Sequence, residues 1–136
     1  MYLIVTRSFP PELGGMQNLM WGLSRELSKN FMIKVFADHI ESRKDFDEQA
    51  SFSIERVGGI KLLRKYRKAQ LIKEYIKENN IDGIIADHWK SLELIKTFIM
   101  KFLDNSLERP HIRFCIPPSS GGNDLVTIRY INHTSI

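Results

Sequence analysis

The chain has 136 residues, 43% hydrophobic and 26% charged, the balance of one soluble globular domain, which excludes global disorder. No apolar run approaches the roughly 20 residues needed to span a bilayer. The first residues lack the basic-then-apolar pattern of a secretory leader, and the lone Cys115 excludes an internal disulfide framework or a cysteine-cluster zinc site, so a reducing cytoplasm is expected.

In chain order, residues 2–6 are a short apolar, β-branched run that predicts a buried strand. Residues 7–15 follow as a loop, with Pro10 and Pro11 against regular structure and Gly14 and Gly15 open to close backbone approach. Met16, Met20, Leu23 and Leu27 then lie on one helical stripe, closed by Lys29 and Asn30. Residues 31–37 predict a second strand, 38–51 a polar surface loop, and 52–57 a third, more exposed strand that alternates with period two.

After Gly58 and Gly59, Leu62, Tyr66, Ala69, Ile72 and Ile76 form the apolar stripe of a helix over 60–79, with basic residues between them facing solvent. Residues 81–86 predict a fourth strand, 87–90 its exit loop, and Ser91 the cap of a helix to about Phe102 with Glu93 in its first turn. Residues 109–116 and 125–131 read as further strands, with 117–122 as loop. Strands alternating with helices, and apolar almost throughout, predict an α/β fold: a Rossmann-like, doubly wound, mostly parallel sheet. Residues 1–102 make up that domain. Residues 103–136 are an extension of it, either truncated or divergent, because no helix follows to cover the last strand. The chain is accordingly expected to be either the front part of a larger protein or a domain whose last roughly 30 residues have diverged.

The chemistry concentrates where ligands of open α/β sheets bind, outside the carboxyl ends of the strands. Gly14 and Gly15 open a helix whose first N–H groups are unpaired and whose dipole is positive there, a place that suits a phosphate. The loop is neither G-x-G-x-x-G nor a P-loop. Net charge is +4, from 20 Lys and Arg against 16 Asp and Glu, and much of the excess falls in Lys61, Arg64, Lys65, Arg67, Lys68, Lys73 and Lys77. Such a helix attracts phosphate or anionic lipid, although a merely solvated face is the commoner role of a basic helix. His39, His88, His111 and His133 are scattered, so no metal site is expected; Ser119 and Ser120 lie in no nucleophile elbow. Too few aromatic residues interleave the basic ones for nucleic acid to be an expected partner.

Phe9-Pro10-Pro11-Glu12-Leu13-Gly14-Gly15-Met16-Gln17, followed by Leu23-Ser24-Arg25-Glu26-Leu27, resembles the opening of the family-4 retaining glycosyltransferases, which have the GT-B fold. Asp82-Gly83-Ile84-Ile85-Ala86-Asp87-His88 resembles the family's aspartate-led fourth strand ending near a histidine. The resemblance covers residues 2 to about 100. It implies an N-terminal, acceptor-side domain of an enzyme that moves a sugar from a nucleotide-diphosphate sugar, its co-substrate, to an acceptor hydroxyl, with no further cofactor.

On that resemblance Gly14 and Gly15 bind the donor diphosphate and His88 is the catalytic contact facing the same cleft. Asp87, Trp89 and Glu12 are candidate sugar or acceptor contacts. The implied partners are a glycan or lipid-linked acceptor and a missing C-terminal domain; separately, the charge of the basic helix 61–78 predicts a peripheral membrane contact at the inner face. The family's E-x7-E pair does not occur here, and Ile116 runs into Pro117-Pro118 where a second histidine motif is usual. The isolated chain is therefore expected to be inactive. The alternative is a non-catalytic α/β module that binds a phosphate ligand or regulates a partner.

Overall fold

A computed structural model describes residues 1–41, 44–103, 113–116 and 126–129, the last two segments and the side chains of Trp89 and 98–103 by backbone alone. The predicted loop 117–122 lies outside these residues. Strand β1 (Tyr2–Val5) is central. It pairs in parallel with β2 (Ile33–Asp38) on one side and β4 (Gly83–Ala86) on the other, Val5 standing opposite both Phe36 and Ala86. β3 (Ser53–Val57) adds to β2 and β5 (Arg113–Ile116) to β4, both parallel; β6 (Val126–Arg129) adds antiparallel to β5. The spatial order is β3-β2-β1-β4-β5-β6, a Rossmann-like α/β sheet.

Successive side chains of a strand point to opposite faces, and here both faces are apolar, so both must be covered. Leu3, Val5, Phe36, Ile84 and Ala86 point to one face. They pack with Ala69, Ile72 and Ile76 of α3 (Lys61–Glu78) and Leu92 and Ile95 of α4 (Trp89–Leu103). Ile4, Val35, Ala37 and Ile85 point to the other, under Met20 of α1 (Gly15–Ser28) and the loop residue Phe9. This is the doubly wound arrangement that the alternation of elements predicts.

Three local readings change. The polar stretch after β2 contains a short helix, α2 (Lys44–Glu48). It forms because Phe46 finds a partner: its ring lies 4.6 Å from that of Trp21, which in turn stacks near Phe52 at 5.4 Å. Helix α4 begins at Trp89 rather than Ser91, which moves Glu93 out of the first turn. Ser91 does not cap it; its Oγ donates to Asp87 Oδ1 at 3.3 Å.

The third change concerns the basic helix. Ala69, Ile72 and Ile76 are buried as the stripe requires, but Leu62 and Tyr66 are 69% and 52% exposed and Lys68 is buried. The apolar stripe thus covers the sheet only over the later turns of α3. At its start the helix leaves Ile60, Leu62, Leu63 and Tyr66 open to solvent.

Candidate functional site

The strand order reverses between β1 and β4, and in open parallel sheets that switch point opens a crevice at the carboxyl ends. The chain crosses it with a tight polar clasp. Asp87, leaving β4, accepts from Thr6 Oγ1 at 2.8 Å and from the Arg7 backbone N–H at 3.0 Å, both on the exit of β1. Thr6 and Asp87 are both buried, and the bonds of the clasp offset their desolvation. The candidate sugar contact Asp87 thus spends its carboxylate on holding the two strand exits together.

A second charged cluster lies beside the clasp. Lys68 of α3 reaches inward, and its ammonium donates to the Thr6 carbonyl at 2.9 Å and to Asp38 Oδ1 at the end of β2. Arg64, one turn earlier, pairs with Asp38 Oδ2 at 3.2 Å. Burial pushes the Lys68 ammonium below its ordinary range, and the Asp38 carboxylate opposes that shift. One carboxylate therefore serves two cations, and the three side chains join α3 to the sheet's carboxyl edge.

These residues line a cavity of about 690 Å³ between the strand ends and the starts of α3 and α4. Its floor is apolar, from Val5, Ala69, Leu94 and Ile95. Its walls carry six cations, Arg7, Lys61, Arg64, Lys65, Lys68 and Lys90, against the single carboxylate of Asp38. Lys61, Arg64, Lys65 and Lys68 share one helical face by their spacing of three, four and seven. Ile60 and Leu62 form part of the rim.

His88 also lines this cavity and is exposed. Its Nδ1 accepts the Lys90 backbone N–H at 3.1 Å. In the neutral imidazole that bond leaves Nε2 as the protonated nitrogen, a donor for a ligand.

No protein-family model and no curated protein matches the chain.

Gly14, Gly15 and Glu12 do not line the cavity. Gly14 is the N-cap of α1 in extended conformation, with no capping side chain, and Gly15 is the first helical residue. A Cβ built on Gly15 meets nothing within 4 Å, so the helix opening there is bare on its outer side. At Gly14 the Gln17 side chain lies close, its Oε1 2.2 Å from where a Cβ would stand. The glycine loop leads to the helix on the opposite face of the sheet from α3 and α4. The expected sharing of one cleft with His88 therefore does not extend to this cavity. Glu12 is exposed, and the side chain of Trp89 lies outside the described residues.

Three residues carry more of the site than their sequence context announces. Asp38 and Lys68 are separated by 30 positions, and only the packing of α3 on β2 reveals them as a pair. Arg56 of β3 falls by alternation on the same face as Phe52 and Ile54, and its side chain is only 3% exposed. It pairs with Asp47 of α2 through two nitrogens at 2.8 and 2.7 Å, donates to the Pro10 carbonyl, and stands 5.8 Å over the Phe9 ring. The glycine loop is thereby held from beneath by a guanidinium and a fully buried phenyl ring. Among the described residues no group of three or more His, Cys, Asp or Glu is placed to hold a metal, and no helix is long and apolar enough to cross a membrane.

Proposed function

We propose that this chain is the acceptor-side domain of a retaining glycosyltransferase that moves a sugar from a nucleotide-diphosphate sugar to an acceptor hydroxyl. The observation that carries the reading is the carboxyl edge: a cationic cavity with His88 on its wall, next to a strand exit that leads into a glycine-opened helix.

In this reading the bare N–H groups at the start of α1 take the donor diphosphate, whose charge their dipole offsets. His88 Nε2 donates to the sugar or to the oxygen on which charge develops as the diphosphate leaves, and a donor fixed there lowers the barrier. The cavity holds the acceptor. Asp87 acts by fixing the β1 and β4 exits, and so the position of His88, rather than by touching substrate. The exposed apolar turn at the start of α3, flanked by lysines, supports a peripheral place at the inner face of a membrane.

A second reading, a phosphate-ligand binding module without catalysis, is favoured by one observation: residues of this domain line the cavity on their own, with cations from the exit of β1, α3 and α4. The test joins the chain to a donor-binding domain and follows transfer from a panel of nucleotide-diphosphate sugars to lipid-linked and soluble glycan acceptors. Turnover supports the first reading. Ligand binding with no transfer from any donor supports the second.

A further inference from the structure

We propose that the cavity between α3 and α4 is a binding site for an amphiphilic phosphomonoester, the phosphate held by the cationic wall and the apolar chain laid over the exposed first turn of α3. As a statement about the acceptor's class it rests on the sugar-transfer reading; as a ligand site it does not, because binding is measured without turnover.

The charge count points to an anion. Asp38 pairs with Arg64 and Lys68, but Arg7, Lys61, Lys65 and Lys90 make no side-chain ion pair among the described residues. Four like charges around one concavity repel each other, and a phosphate entering it relieves that repulsion while gaining charge-assisted hydrogen bonds. Arg7 comes from the exit of β1, Lys61 and Lys65 from α3, and Lys90 from α4, so the cations surround the space from three elements.

The apolar surface points to more than an anion. Ile60 is 73% exposed and Leu62 69%, and both belong to the cavity rim; Leu63 and Tyr66 extend the same turn outward at 58% and 52%. An inorganic phosphate leaves this surface and the apolar floor in water. A phosphate bearing an alkyl or isoprenoid chain covers both. The volume of about 690 Å³ lies within the usual range for small-molecule sites, about 300–1,000 Å³, and exceeds what a bare phosphate fills.

The test titrates the full chain with octyl phosphate, inorganic phosphate and 1-octanol by calorimetry, with backbone amide NMR to locate the shifts. Octyl phosphate is expected to bind at least about tenfold more tightly than either comparison ligand, with shifts at Arg7, Lys61, Lys65 and Lys90. Lys61→Ala/Lys65→Ala, at two exposed positions, should weaken octyl phosphate at least about tenfold. Ile60→Ser/Leu62→Ser should bring it down to the affinity of inorganic phosphate, and circular dichroism checks that both variants remain folded.

Inorganic phosphate binding as tightly as octyl phosphate would assign the site to a free anion and overturn the proposal. So would 1-octanol binding equally well, or an affinity indifferent to both lysines. If either double variant unfolds, Lys90→Ala serves in its place and must weaken octyl phosphate. Octyl phosphate binding without sugar transfer ends the transferase reading alone; transfer without such binding ends this one alone.

Discussion

Replacing Asp38 by asparagine removes a negative charge from between two cations while keeping the shape of the side chain. The buried Lys68 ammonium then keeps neutral acceptors, the Thr6 carbonyl 2.9 Å away and the asparagine amide oxygen, but loses the carboxylate that pairs with its charge. Breaking a fully buried pair by removing one partner costs about 3–5 kcal/mol. Here Asp38 is 16% and Arg64 25% exposed, and water softens the loss, so about 2–3 kcal/mol is expected. For a domain of this size that lowers Tm by about 5–10 °C.

The converse change should be mild. Lys68→Met removes the ammonium whose burial is unfavourable and leaves Asp38 paired with Arg64 at 3.2 Å, so its cost stays within about 1 kcal/mol. In the double variant Asp38→Asn no longer strands a charge, so its stability should match that of Lys68→Met, a coupling of about 2 kcal/mol. Urea unfolding followed by circular dichroism gives all four stabilities. Strictly additive losses, or Lys68→Met costing more than Asp38→Asn, would refute the assignment of Asp38 as the charge partner that makes Lys68's burial tolerable.

Other perturbations follow from the same geometry. Phe9→Ala should cost about 3–5 kcal/mol in thermal or urea unfolding, because its fully buried ring fills the space beneath the glycine loop beside Trp21 and Phe52. Gly15→Val should change stability by no more than about 0.5 kcal/mol, since its Cβ enters open space and its φ is not positive. In a chain joined to a donor-binding domain, the same change should abolish sugar transfer by filling the place of the diphosphate. The Lys68 proton is held less tightly in the folded chain than in the unfolded one, whose value is the ordinary 10.5. Stability should therefore rise with pH from the lowered folded value up to 10.5, and the penalty should be fully present below that window. Wild type minus Lys68→Met, measured by urea unfolding across the alkaline range, isolates this slope, and a difference that falls with pH contradicts it.

The sheet was legible because each strand carries its own burial code. Leu3 and Val5 face one way and Ile4 the other, both sides apolar, and such runs alternating with helices are the pattern of a parallel sheet covered on both faces. The stripe of α3 was legible where the helix lies on the sheet, at Ala69, Ile72 and Ile76, and misleading where it overhangs, at Leu62 and Tyr66. Periodicity reports which residues share a face, not how far that face has anything to rest on.

The charged parts of the site were hidden for a related reason. Lys68 looks like any lysine of a basic helix until Asp38 and the Thr6 carbonyl are brought against it by contacts 30 and 62 positions long. Arg56 stands on the apolar side of its alternating strand, and the partner for its charge is hidden until α2 supplies Asp47. His88 was legible as the second residue past an apolar strand, because that position places it at the carboxyl edge.

The most direct test of the transferase reading is kcat/KM for His88→Ala in the chain joined to a donor-binding domain, with Tm measured alongside. His88 is exposed and its side chain's only described hydrogen bond is the one from the Lys90 N–H, so Tm should fall by no more than about 2 °C. Losing a donor to the developing charge should lower kcat/KM at least about 100-fold. Unchanged kcat/KM with an unchanged Tm would contradict the claim that this edge of the sheet serves sugar transfer through His88.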